Sequence, residues 1–175
     1  MPDTTHLLMF IAAGWLLNLT PGPDVLYIVS SALRSGVRAG LVAALGIVSG
    51  CFVHVFAAAL GVGALLATSA TAFTLLKWAG AAYLVWMGIK LLLARGGASS
   101  IVPADVKAGP VAVNLGRVYR QGFLTNVLNP KVALFFLAFV PQFIAPGTDD
   151  KVTAFLLLGL LFNVNSLPIN LGYAW

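Results

Sequence analysis

The chain has 175 residues, of which 60% are hydrophobic and 9% charged, with a formal net charge of +5. Soluble domains run about 45–50% apolar and about 25% charged, so a water-soluble globule is excluded and a lipid bilayer is the solvent that fits. The positive charge does not indicate nucleic acid, because the basic residues stand in loops and at the ends of apolar runs, with no basic stripe interleaved with aromatics.

Five apolar runs follow in chain order, at about 7–33, 37–66, 71–93, 122–144 and 152–173. Each reaches the roughly 20 residues that cross about 30 Å of hydrocarbon. The first is preceded by Met1-Pro2-Asp3, which lacks a basic n-region, and is too long for a signal peptide's apolar region, so it is expected to stay as a span. It is interrupted by Asn18-Leu19-Thr20-Pro21-Gly22-Pro23-Asp24. Pro21 and Pro23 disfavour helix at the residues before them, and Pro23 can restart a helix with Asp24 in its positive first turn.

The second run is long enough to tilt, or to end outside the hydrocarbon at Gly61-Val62-Gly63. Its Gly46-x-x-x-Gly50 spacing, like Gly36-x-x-x-Gly40 before it, favours close helix approach. His54 is expected to be packed and hydrogen-bonded, and Cys51, the single cysteine, excludes an internal disulfide or a CxxC site. The third run carries Lys77 and Lys90 near opposite ends, where their stems can snorkel to opposite interfaces.

A linker at about 94–120, rich in Gly, Ser, Pro and charge, leads to the fourth run. That run is broken by Asn126-Val127-Leu128-Asn129-Pro130-Lys131. Pro130 cannot donate to the helix ladder, and Asn129 offers an amide to the freed backbone groups. The fifth run holds Asn163 and Asn165 among apolar neighbours.

A bilayer offers no water to backbone groups freed by proline, so such breaks survive only against protein or an aqueous cavity. Paired interruptions in the two halves of a polytopic chain point to a transporter's binding site. The two breaks are three spans apart, which sets the halves in opposite orientations. The fold class expected is therefore an all-α transmembrane helix bundle of inverted three-span repeats with broken helices, five of an expected six spans being present. It forms one domain over 1–175, with repeat one at about 1–93, the linker, and an incomplete repeat two at about 121–175. On this plan spans one to three have a complete set of neighbours. Spans four and five lack one, leaving Asn163 and Asn165 toward lipid unless another chain covers them, and the short chain poorly stable alone.

Lys and Arg concentrate after span one (Arg34, Arg38) and after span three (Arg95, Lys107, Arg117, Arg120), whereas the loop after span four holds Asp149 and Asp150. The positive-inside rule then places the first and third loops in the cytoplasm and the N-terminus outside.

Asp24 is the candidate for a substrate ammonium or coupling proton, since a membrane carboxylate is too costly to be incidental. Lys131 is the candidate for a substrate carboxylate. Asn18, Asn126 and Asn129 would shape the cavity, and Pro21, Gly22, Pro23 and Pro130 form the broken-helix hinges. With no HExxH, P-loop or nucleophile–base–acid set in the sequence, an enzyme is not expected, and neither a cofactor nor a metal site is expected.

Thr20-Pro21-Gly22-Pro23-Asp24, the Gly40, Gly46 and Gly50 series leading to His54, Tyr83-Leu84-Val85-Trp86-Met87-Gly88-Ile89-Lys90, and Gly122 through Lys131 resemble the LysE/RhtB amino-acid exporters. Phe135 through Phe143 fit as well, and the similarity runs from about Leu7 to Trp175. The resemblance implies secondary-active export of amino acids or their derivatives across the inner membrane, driven by the proton gradient, with a dimeric assembly. The alternatives are another small solute or a cation carried on the same scaffold, or a non-transporting fragment or assembly subunit.

Overall fold

The computed structural model describes residues 4–93, 113–144, 148 and 150–175. Arg95 and Lys107 of the linker, and Asp149, lie outside the described residues. All regular structure among the described residues is helical. The elements are α1 (Thr4–Leu19), α2 (Pro23–Ser35), α3 (Val37–Thr68), α4 (Ala70–Leu93), α5 (Leu115–Val127), α6 (Pro130–Leu134) and α7 (Lys151–Gly172). Beyond α6 the chain continues through a π-helical turn, Phe135–Phe139, and a 3-10 turn, Val140–Phe143.

The run at 7–33 is thus two helices. Pro21 lacks an N–H, Gly22 is extended (φ −161°, ψ −175°), and Pro23 opens α2 at its first position with Asp24 behind it. α2 ends at Gly36, whose φ of +85° lies in the left-handed region, so the sharp turn into α3 depends on a residue without Cβ. α5 begins at Leu115, earlier than the boundary drawn from hydropathy at Gly122, because the Asn114 side chain accepts from the Arg117 N–H at 3.1 Å and caps the helix inside the expected linker. α4 is capped by Ser69, whose Oγ accepts from Ala72 N at 3.1 Å. α7 is capped by Asp150, whose carboxylate accepts from Thr153 N at 2.9 Å and from the Thr153 hydroxyl. Those bonds hold the Asp150 carboxyl below the usual range.

Among the described residues, three helices are long and apolar enough to cross a membrane: α3 over Val37–Gly61, α4 over Thr71–Lys90, and α7. α5 and the helical segment Pro130–Phe143, bent by 46° at the second proline break, make a fourth when counted as one span, and α1 with 16 residues is a shorter apolar helix.

α3 and α5 pack backbone to backbone. A Cβ on Gly46 would lie 2.3 Å from Tyr119 O, one on Gly50 2.6 Å from Phe123 O, and one on Gly122 2.6 Å from Ala43 O. The pairs 46/119 and 50/123 advance in step, so the two helices run in the same direction. Arg34 and Arg38, around the start of α3, and Arg117 and Arg120, in α5, consequently belong to the same end of the bundle.

The main core is aromatic and lies where α1, the π turn and α7 meet α3. Phe10, Phe135, Phe136 and Phe162 are all buried there, with Phe135 and Phe162 centroids 5.0 Å apart and Phe136 and Phe162 at 5.3 Å. A second cluster of Ile28, Ala43, Ala44, Ile47 and Ala174 packs α2 and α3 against the end of α7.

Two expectations about enclosure are corrected. Asn163 is 3% exposed, so it is buried inside the chain and does not face lipid, because α7 turns that side toward the core. α4, expected to have a full set of neighbours, is the least enclosed crossing helix, with 6% of its window buried against 44% for α3 and 33% for α7. Its Leu75, Trp78, Val85 and Trp86 are exposed. Lys90 Nζ lies 4.5 Å over the Trp86 ring and Lys77 Nζ 5.8 Å from the Trp78 ring, so both termini of this helix carry a cation–aromatic pair.

Candidate solute site between two broken helices

The two proline breaks meet. A small cavity lies between them, lined by Asn18 and Asp24 of the first break and by Asn126 and Lys131 of the second. α3 contributes Ile47, Val48 and Cys51 to its wall, and α7 contributes Phe162, Ser166 and Asn170. Asp24 is 7% exposed, Asn126 3% and Lys131 3%, so charge and amide are both withdrawn from solvent.

Asp24 Oδ2 accepts from Asn126 Nδ2 at 2.8 Å, a contact that joins residues 102 positions apart. Asp24 Oδ1 and Asn126 Oδ1 have no hydrogen-bond partner among the described residues. Two acceptor oxygens, one of them charged, are therefore left for a donor-rich group. Buried polar groups are nearly always paired, and one buried donor, Asn129 Nδ2, is also without a partner among the described residues.

The prolines also deprive carbonyls of their usual helical donors, and distant segments supply hydrogen bonds to them. Pro21 cannot supply the N–H that would bond Leu17 O; Lys131 Nζ donates to it at 3.0 Å, and to Thr20 O at 3.0 Å. Pro23 likewise leaves Leu19 O, which accepts from Tyr173 Oη at 3.2 Å. Asn126 O, which Pro130 cannot serve, accepts from Asn129 N at 2.9 Å and from His54 Nε2 at 2.9 Å. Because a carbonyl can only accept, that contact places a proton on His54 Nε2.

Of the other expected site residues, Asn18 lines the cavity but donates its amide back to Gly14 O at 2.8 Å. Asn129 is placed differently from its expected role in shaping the cavity. It is 1% exposed, does not line the cavity, and caps α6, its Oδ1 accepting from Lys131 N at 3.0 Å. Asn129→Ala removes that cap and should lower stability by about 1 kcal/mol, with Asn129→Ser, which caps without adding charge, retaining most of it; thermal unfolding in detergent reads the difference. Pro21, Gly22, Pro23 and Pro130 all stand at the breaks. Asn165 bonds back to Leu161 O at 2.9 Å and takes no part in the site.

Sequence reasoning missed Ser166 and Asn170. The available signal was the Asn163-x-x-Ser166-x-x-x-Asn170 spacing, which sets three polar residues on one helix face, all of them buried here. Hydropathy averaged over the run conceals that stripe.

The sequence profile of the LysE type translocator family matches residues 15–171. The homoserine/homoserine lactone efflux protein of Salmonella typhimurium is 31% identical over 165 residues, covering 94% of this chain and 77% of that protein. The leucine efflux protein of Klebsiella pneumoniae is 31% identical over 165 residues, covering 92% and 74% respectively. An uncharacterized membrane protein of Vibrio cholerae is 35% identical over 166 residues, covering 95% and 78%. No solved structure matches the chain. With that profile spanning nearly the whole sequence, and with the apolar helices and paired breaks described above, the chain belongs to the LysE type translocator family, a family of membrane transporters and not of enzymes.

Proposed function

We propose that the protein exports neutral amino acids, or close derivatives of them, across the cytoplasmic membrane by secondary-active transport coupled to the proton gradient. One observation carries the reading. A buried carboxylate oxygen and a buried amide oxygen, both unpartnered, share a cavity between two broken helices. A primary ammonium supplies the donors these oxygens lack, and an ionisable group at membrane depth ordinarily serves a substrate or ion pathway.

Charge balance narrows the class. The cavity lining holds one carboxylate, Asp24, and one ammonium, Lys131, and no second acid. A zwitterion adds no net charge to this site, whereas a solute with a cationic side chain would bring an uncompensated charge into low dielectric. Phe162, Ile47 and Val48 give the lining an apolar side that suits an apolar side chain. Two of the similar proteins are named for efflux of homoserine or its lactone and of leucine, solutes within this class.

In the proposed arrangement α1–α2 and α5–α6 are equivalent broken spans in inverted halves, and Arg38 faces the cytoplasm while Asp150 faces out. An impermeant maleimide should therefore label a cysteine at position 150, but not one at 38, from outside intact cells in a Cys51→Ser background. The substrate class is tested by counterflow in proteoliposomes. Leucine and homoserine should exchange saturably and lysine should not. Lysine exchange as fast as leucine exchange would overturn the neutral-solute reading.

A further inference from the structure

We infer that Lys131 is a positioning residue that clasps the first broken helix to the second, and that it is not the ligand for the solute carboxylate. Its Nζ is directed at Leu17 O, the carbonyl that Pro21 deprives of an N–H, and at Thr20 O, both at 3.0 Å. Those atoms are the negative end of α1, where a cation is favoured, and Lys131 reaches them from the first turn of α6. Lys131 is 3% exposed, and two of its three ammonium N–H groups are committed to these carbonyls.

A second contact joins the halves nearby. His54, on α3 of the first half, donates to Asn126 O at the end of α5, which also accepts from Asn129 N. An unmet carbonyl in a dry interior is costly, so the end of α1 cannot part from Lys131 until a replacement donor arrives. Gly22 belongs to the same device, because a Cβ there would stand 3.1 Å from Lys131 Nζ and would crowd the ammonium against its two carbonyls.

This role rests on contacts within the chain and holds whichever solute is carried, but its effect on transport builds on the export reading above. The test keeps the two apart. Spin labels at Leu16→Cys and Leu128→Cys, both lipid-exposed positions beside the two breaks, report the distance between them in a Cys51→Ser background. The clasped protein should give one narrow distribution. Lys131→Met should broaden it or add a longer distance, and Lys131→Arg, which still donates to carbonyls, should restore it. Gly22→Ala keeps the ammonium but crowds it, and should broaden the distribution in the same direction, which covers the case of a poorly folded Lys131→Met.

Counterflow supplies the second readout. For a clasp, Lys131→Met lowers kcat for a neutral amino acid and for its amide by the same factor, leaving the ratio of their KM values unchanged. An unaltered distance distribution in both Lys131→Met and Gly22→Ala overturns the inference. So does a KM rise of tenfold or more for the amino acid with none for the amide. Absence of counterflow in the parent protein would count against the export reading alone, since the distances are measured without solute.

Discussion

Asp24→Asn should reduce neutral amino-acid counterflow by about two orders of magnitude while membrane abundance stays at the wild-type level. The substitution keeps the shape of the side chain and its contact with Asn126 Nδ2, now 2.8 Å from Oδ2, but removes the charge from the unpartnered Oδ1. Losing one partner of a buried charged contact costs about 2–5 kcal/mol in binding, and each 1.4 kcal/mol is tenfold. The folded protein meanwhile gains, because a neutral amide has a smaller desolvation cost than a carboxylate in the same place. Transport and abundance should therefore diverge. Initial counterflow rates paired with immunoblots of the membrane fraction read both, and a matched fall in the two would give Asp24 a structural role instead.

The largest effect on stability should come from Gly46→Ala and Gly122→Ala. Each new Cβ would meet a backbone carbonyl, Tyr119 O at 2.3 Å or Ala43 O at 2.6 Å, and a carbonyl cannot rotate aside as a flexible side chain can. Overpacking of this kind costs about 1–3 kcal/mol. The cost extends to the site, since α5 carries Asn126, the donor to Asp24, and would have to move away from α3. Gly88→Ala is the control: nothing lies within 4 Å of its Cβ, so the substitution should be neutral or gain up to about 1 kcal/mol by removing backbone freedom in a helix. Melting temperatures in detergent should fall for the first two and hold or rise for the third. Equal behaviour of all three would show that α3 and α5 do not approach this closely.

What the sequence made legible follows from which forces are local. Proline and glycine act on their immediate neighbours, so both breaks, the helix restart at Pro23, and the close approach at Gly46 and Gly50 could be read directly. Asp24 and Asn126 were singled out because polar groups in apolar runs are few, and they do meet across the breaks. Sequence also shows that Pro21 orphans Leu17 O, but not which donor answers it. Lys131 was expected at a solute carboxylate, and its Nζ contacts with Leu17 O and Thr20 O were not foreseen. That choice is made by tertiary packing of α6 against the end of α1. The same limit hid the α7 face of Ser166 and Asn170, and it left α4 more open than expected, while α3 is enclosed.

Cys51 offers the most direct measurement of the central claim, that solute occupies the cavity between the two breaks. It is the single cysteine, 3% exposed, and lines that cavity, so its modification by a small membrane-permeant thiol reagent reports occupancy without any engineered label. Leucine or homoserine should slow the modification saturably in the wild-type protein and leave its rate unchanged in Asp24→Asn. A rate in the wild-type protein that is the same with and without solute, at concentrations that support counterflow, would contradict the account and place the transported solute elsewhere.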